Sequence, residues 1–169
     1  MTDKPIALGS DDAGYPLKES IKAYLEARGR TVVDYGCHSP DPVDYPDVAL
    51  EVAHRVADGQ HDRAILVCGT GIGMAIAANK VPGVYAAVAH DPYSAAKART
   101  SNNAQVLTMG ARVIAPELAQ TLVGIWLASE FGGGASARKV GKIGEAERRL
   151  ADGRAEPAGA TGAGAGTDR

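Results

Sequence analysis

The sequence predicts a three-layer α/β/α sandwich on a five-stranded parallel sheet, with an extended helix at its C-terminal end. Two observations carry this expectation. Short runs that are apolar throughout, such as Ala64–Cys68, alternate with longer stretches that are apolar on one helical face only. Strands buried on both faces belong to parallel sheets covered by helices. The length agrees: 169 residues, 45% hydrophobic and 22% charged, suffice for one domain with a sizeable core.

Each element follows from local pattern. Pro5–Gly9 is short, apolar and ends in glycine, which marks a buried strand. Tyr15–Arg28 sets Leu17, Ile21, Tyr24 and Leu25 at helical spacing, with Gly29 as its stop. Thr31–Tyr35 is β-branched and strand-like, and Cys37–Asp44, with Pro40 and Pro42, is a loop. Tyr45–Asp58 is helical through Val48, Val52 and Val56 and stops at Gly59. Ala64–Cys68, Val84–Ala89 and Gln105–Met109 supply the remaining strands, and Gly73–Asn79, Pro92–Arg99 and Pro116–Phe131 the helices that follow each of them. After Gly132-Gly133-Gly134 a basic stretch to Arg149 reads as a last helix extending from the domain. The domain thus spans residues 1–150. From Ala151 to Arg169 the chain is Ala, Gly, Pro and charge with nothing to bury, and is expected to be a disordered tail. In such a Rossmann-like sandwich, right-handed crossovers put every strand-to-helix loop on the C-terminal edge of the sheet, where ligands bind.

Composition excludes several functions. Lys and Arg number 18 against 20 Asp and Glu, a net charge of −2, without the basic surplus that nucleic-acid or anionic-membrane binding needs. Aromatics are 5% of residues, too few for base-stacking platforms. Two cysteines, Cys37 and Cys68, make no disulfide framework. The N-terminus lacks a signal-peptide pattern, and no apolar run approaches the ~18 residues of a membrane span. A cytoplasmic protein that binds neither nucleic acid nor membrane is expected.

Chemistry concentrates at strand ends. Cys68-Gly69-Thr70-Gly71-Ile72-Gly73 follows a strand directly and opens a helix. Its glycines allow a tight turn whose N–H groups converge on an anionic oxygen, and the positive end of the helix favours a Cys68 thiolate. A thiolate beside such a nest suits proton abstraction next to a carbonyl. The loop is neither a dinucleotide fingerprint, since Met74 or Ile76 stands where the last glycine belongs, nor a Walker A loop. The residues alone leave Cys68 between a packing role and a catalytic one. Asp11 and Asp12, in Gly9-Ser10-Asp11-Asp12-Ala13-Gly14, suit metal binding, helix capping or sugar hydroxyls, and the pattern does not choose among them. Ser101-Asn102-Asn103 ends a helix just before a strand, and Arg112 follows the last strand. Arg138 and Lys142, four apart on one helix face, suit a phosphate clamp. His38 and His90 lie in loops after strands, whereas His54 and His61 read as surface residues.

Together these motifs resemble the type B ribose-5-phosphate isomerases, a family that includes galactose-6-phosphate isomerase subunits. The likeness runs from about Ile6 to Arg149. It rests on Gly9-Ser10-Asp11-Asp12-Ala13-Gly14, Asp44-Tyr45-Pro46, the Cys68–Gly73 loop, Ala77-Ala78-Asn79-Lys80, Asn102-Asn103 and Gly110-Ala111-Arg112-Val113. The resemblance implies a cofactor- and metal-free aldose–ketose isomerisation through a cis-enediolate. Cys68 would move the proton between C1 and C2, with Thr70 at the reacting oxygens and the amides of Gly69, Gly71, Ile72 and Gly73 as the oxyanion hole. Asp11 would hold sugar hydroxyls, Asn102 the reacting end, and Arg112, Arg138 and Lys142 the phosphate, with Asp12 and Ser101 also lining the substrate. It further implies a homodimer whose sites are completed by the second subunit. A non-catalytic sugar-phosphate or nucleotide-binding module is the alternative class.

Three residues depart from the family pattern. Asp12 and Ser101 stand where histidines are usual, and Lys142 where an arginine is. The family's histidine at position 101 opens the furanose ring of ribose 5-phosphate, a proton transfer serine cannot perform near neutrality. A tetrose 4-phosphate, its O4 esterified, forms no five-membered hemiacetal and needs no such acid. The expected substrate pair is therefore D-erythrulose 4-phosphate and D-erythrose 4-phosphate. The alternative is ribose 5-phosphate, with another acid such as His90 or His38.

Overall fold

The computed structural model describes residues 4–153. Five strands, β1 (Ile6–Ser10), β2 (Val32–Asp34), β3 (Ala64–Cys68), β4 (Ala86–Val88) and β5 (Val106–Gly110), form one sheet in the order β2-β1-β3-β5-β4. Every pairing is parallel, with Ser10 opposite Val67 and Cys68 opposite Gly110. The helices are α1 (Tyr15–Glu26), α2 (Tyr45–Ala57), α3 (Ile72–Ala78), α4 (Pro92–Thr100), α5 (Pro116–Ala128) and α6 (Gly134–Ala151). The predicted sandwich is thus the observed one, with edges shifted by one to three residues. The outer strands β2 and β4 are shorter than their sequence runs and only half-buried, because an edge strand lacks a ladder partner on one side.

Alternation along the central strands builds two cores. Ile6, Leu8, Ile65, Val67, Leu107 and Met109 pack with α1, α4 and α5, where Trp126 is fully buried. Ala7, Ala64, Leu66, Cys68 and Val106 pack with α2 and α3. Each fully buried Leu, Ile or Met contributes roughly 1.5–3 kcal/mol. Helix starts follow the sequence: Pro lies in the first turn of α1, α2, α4 and α5, and the Asp91 carboxylate accepts the Ser94 N–H at 2.8 Å. α5 ends at Ala128, three residues early, because Ser129 turns extended and its carbonyl is taken by Arg63 at 2.9 Å. α6 runs past Arg149 to Ala151 and buries no residue. The rest of the expected tail, from residue 154 on, lies outside the described residues. Among the described residues no helix is long and apolar enough to cross a membrane.

The strand order has a functional consequence. From β1 the chain passes to α1 on one face of the sheet, and from its neighbour β3 to α3 on the other. The loops after these two strands diverge at the C-terminal edge, the position where such sheets form the crevice that binds ligands.

Candidate active site

Asp11 and Cys68 stand at the tips of the two strands that flank this crevice. Three glycines let the surrounding loops close on one another. A Cβ on Gly14 would overlap the Val67 carbonyl oxygen, and one on Gly110 would come within 2.7 Å of Thr70 Cα. Gly71 has φ +79°, and a Cβ there would meet the Met109 backbone at 2.8 Å, so both its conformation and its surroundings demand glycine. The turn after β5 is stitched to the loop after β3: the Ala111 N–H donates to the Cys68 carbonyl at 2.8 Å and the Arg112 N–H to the Gly69 carbonyl at 3.0 Å. The Arg112 side chain lies along Gly69, about 3.6 Å from where a Cβ would be.

Cys68 is 4% exposed and is a free thiol. Its Sγ accepts the Gly71 N–H at 3.1 Å, and Thr70 Oγ1 accepts the Ile72 N–H at 3.3 Å. Two of the amides expected to receive an oxyanion are therefore engaged within the loop, while that of Gly73, in the first turn of α3, has no acceptor among the described residues. Asp11 Oδ1 accepts the Gly14 N–H at 2.8 Å, which shapes the turn into α1. Burial pushes the Asp11 carboxyl above its ordinary range, opposed by the Gly14 amide and reinforced by Asp12, with the Arg112 guanidinium also holding it down. Asp12 Oδ1 faces the Val43 N–H at 3.5 Å and so meets the loop before α2. That loop is anchored from below by Lys18, fully buried, which donates to both Asp34 oxygens (2.7 and 2.6 Å) and to the Cys37 carbonyl (2.8 Å). Burial alone would raise the Asp34 carboxyl, but Lys18, the Gly36 amide and Lys22 hold it below the usual carboxylate range.

Two residues at this edge have contacts that the sequence did not assign: Tyr45, read only as part of a motif, and His90, named only as an alternative acid. The Tyr45 ring stands where a Cβ on Gly73 would be, 2.7 Å away, so glycine there admits the ring against the loop. His90 Nε2 accepts the Gly110 N–H at 2.9 Å, which leaves the ring proton on Nδ1 and ties the loop after β4 to the turn carrying Arg112. Burial lowers His90 from its ordinary value, opposed by Asp91. Asp44-Tyr45-Pro46 was the available signal for the tyrosine; the histidine's pairing across 20 residues left none. His61 corrects an expectation. It is buried, with Nδ1 against the Pro5 carbonyl and Nε2 against the Tyr35 hydroxyl, each at 2.7 Å. Among the described residues no group of three or more His, Cys, Asp or Glu is placed to hold a metal ion.

The remaining predicted residues lie elsewhere. Ser101 and Asn102 close α4 just before β5, on the N-terminal edge of the sheet, where Asn103 adopts φ 54°. β5 alone puts about 13 Å between that turn and Arg112. α6 is tied to the same edge at both ends. The Gly132 N–H donates to the Thr100 carbonyl at 3.1 Å, and Glu147 accepts the Gly83 N–H at 3.1 Å. Arg138 and Lys142 lie exposed between these ties. The predicted residues therefore fall into two groups, Cys68, Thr70, Asp11, Asp12 and Arg112 on one edge, and Ser101, Asn102, Arg138 and Lys142 on the other.

Comparison with known proteins gives a consistent result. The family described as Ribose/Galactose Isomerase matches residues 6–143. The chain is 56% identical over 148 residues to the D-erythrulose-4-phosphate isomerase of Pectobacterium atrosepticum, covering 85% of this chain and 95% of that protein. It is 51% identical over 142 residues to D-erythrulose-4-phosphate isomerase 2 of Mycolicibacterium smegmatis, covering 82% and 93%. The solved structure of ribose-5-phosphate isomerase B from Clostridium thermocellum superposes with a TM-score of 0.85 at 49% identity, over 86% of this chain and 99% of that one.

Proposed function

The chain belongs to the ribose/galactose isomerase family, and we propose that within it this protein interconverts D-erythrulose 4-phosphate and D-erythrose 4-phosphate. It is an aldose–ketose isomerase of sugar phosphates. The observation that carries the tetrose assignment is Ser101. It occupies the position of the ring-opening histidine, in the exposed turn beside Asn102. Of the other histidines, His61 has both ring nitrogens engaged and His54 lies exposed on α2, which leaves His38 and His90, after β2 and β4, as the only candidates for the alternative acid among the described residues. The names of the two tetrose-phosphate relatives support the same reading.

In the proposed mechanism the Cys68 thiolate removes the C2 proton of the aldose. The electron pair forms the C1–C2 double bond, and the carbonyl π pair moves onto O1. The Gly73 amide, which has no acceptor among the described residues, and Thr70 receive the resulting cis-enediolate, in a loop whose Gly71 and Ile72 amides are already set by Cys68 Sγ and Thr70 Oγ1. A proton passes from O2 to O1, and Cys68 returns its proton to C1, giving the ketose. Asp11 accepts from sugar hydroxyls, and Arg112 meets the phosphate from the same edge.

The two separated groups support a homodimer in which the Asn102 turn, Arg138 and Lys142 of a second copy complete the crevice. Beside the glycine loop, α3 presents Ile72 and Ile76, 54% and 58% exposed and one turn apart. This apolar surface suits a second copy. Buried free thiols at Cys37 and Cys68 accord with a cytoplasmic setting.

The test is kcat/KM for erythrose 4-phosphate and for ribose 5-phosphate, with Cys68→Ala as the blank. A tetrose preference of about a hundredfold or more, ~2.7 kcal/mol of transition-state discrimination, supports the assignment. A preference for ribose 5-phosphate overturns it and directs attention to His90, whose Nδ1 carries a proton at the crevice edge.

A further inference from the structure

At the N-terminal edge two arginines converge on a single carboxylate. Arg63, at the start of β3, is 5% exposed and lies 5.0 Å from the Trp126 ring centroid. Arg99 comes from the last turn of α4, two residues before Ser101. Glu130, 65% exposed in the connector between α5 and α6, brings Oε2 to 3.4 Å from Arg63 Nη2 and 3.9 Å from Arg99 Nη2. Each arginine also holds a backbone carbonyl: Arg63 that of Ser129 at 2.9 Å, and Arg99 that of Asn103 at 3.4 Å.

The bonds join two surface segments to the base of a central strand. Asn103 is the only non-glycine residue at positive φ among the described residues, a left-handed conformation that asparagine adopts readily after a helix. The Arg99 guanidinium on its carbonyl adds to the backbone bond from the Ala104 N–H to the Ala98 carbonyl at 2.8 Å. The connector leads through Gly132, Gly133 and Gly134 into α6, which buries no residue and so is not fixed by a core of its own. Arg63 springs from the central strand beneath both.

We propose that Glu130 is a positioning residue for the isomerase: its carboxylate clasps Arg63 and Arg99, and so fixes together the Ser101–Asn103 turn and the point from which α6 carries Arg138 and Lys142. The role rests on the shared-site reading of the reaction, in which both segments reach the second copy's crevice. The charge balance explains why a carboxylate is needed. Without it two guanidiniums stand side by side with only the more weakly acting Asp62 carboxylate to offset them, and Arg63 Nη1 and Arg99 Nε already have no hydrogen-bond partner. Mutual repulsion then moves Arg99, the partner that belongs to the turn rather than to the sheet. Burial and the nearness of Arg99 already bring Arg63 down to about 10, with Glu130 opposing.

The experiment compares Glu130→Ala and Glu130→Gln with the unaltered protein on erythrose 4-phosphate, with and without sodium acetate. Glu130→Ala is expected to raise KM about tenfold while kcat stays within about twofold, the pattern of lost substrate positioning. Acetate fills the vacated carboxylate position and restores KM, whereas chloride at equal ionic strength does not. Glu130→Gln shows the same rise without rescue, because its amide occupies the gap. An unchanged KM in Glu130→Ala, or a rise that acetate leaves untouched, overturns the clasp. If the unaltered protein converts no sugar phosphate, the isomerase reading itself falls, an outcome distinct from a normal enzyme indifferent to Glu130.

Discussion

Gly71→Ala separates conformational strain from close approach, because Gly29 provides a matched control. Both glycines have left-handed backbones, φ +79° and +70°, but a Cβ on Gly29 would meet nothing within 4 Å, whereas one on Gly71 would lie 2.8–3.0 Å from three Met109 backbone atoms. The left-handed conformation costs an alanine about 1–2 kcal/mol at either site. Overlap with a backbone that cannot rotate away adds about 1–3 kcal/mol at Gly71 alone. At about 3 °C per kcal/mol for a domain of this size, Gly29→Ala should lower Tm by about 4 °C and Gly71→Ala by about 10 °C. Activity discriminates further. The Gly71 N–H bonds Cys68 Sγ, so displacing it should cut kcat about tenfold or more, while Gly29→Ala leaves kcat unaltered. Thermal melts and steady-state assays on the two variants suffice. Equal Tm losses would refute the close approach, and a wild-type kcat in Gly71→Ala would refute the functional importance of that hydrogen bond.

Other expectations follow from the same geometry. Cys68→Ala should lower kcat by several powers of ten, each about 1.4 kcal/mol of barrier, with its Tm nearly unchanged; retention of a tenth of the activity would remove Cys68 as the base. If sites are shared, mixing Cys68→Ala with the double variant Arg138→Ala/Lys142→Ala should regain about a quarter of wild-type activity, because half of randomly formed dimers contain one intact site; no recovery after subunit exchange would place each site within one chain. His90 accepts a hydrogen bond in its neutral form, and its pKa lies below 6.5 in the folded chain. As pH falls below about 6.5 the unfolded chain takes up a proton that the folded chain resists, so stability is lost on acidification. His90→Gln, which keeps an acceptor without titrating, should flatten the fall of Tm with pH across that range, and an unchanged slope would show that His90 contributes nothing to it.

Much of the fold was legible because the signal was local. Ala64–Cys68 is apolar throughout and followed by glycine, and the strand matches the expectation residue for residue. Pro5–Gly9 and Gln105–Met109 shifted by one because a ladder ends where its neighbour ends, which a single segment does not encode. His61 was misread for a similar reason. Gln60-His61-Asp62 is a polar run, but its partners Tyr35 and Pro5 come from other strand ends. Lys18 was silent in the sequence, its burial resting on Asp34 and Cys37 in the next crossover. The division of the site was legible in principle. Ser101 and Asn102 precede a strand and Arg112 follows it, and in a parallel sheet those positions lie on opposite edges.

The glycines of the crevice also set what can vary over evolutionary time. Gly14, Gly71 and Gly110 each press against main chain, so almost any side chain there must rebuild the strand ends. Across the molecule, Ser101 and Asn102 close α4, half-buried and exposed respectively, in a surface turn. Changes of substrate therefore have an open route through the far edge and a nearly closed one through the glycine loop after β3. Lineages built on this scaffold should drift in which sugar they accept while keeping the reaction itself, and selection libraries aimed at new specificities belong on the turn after α4.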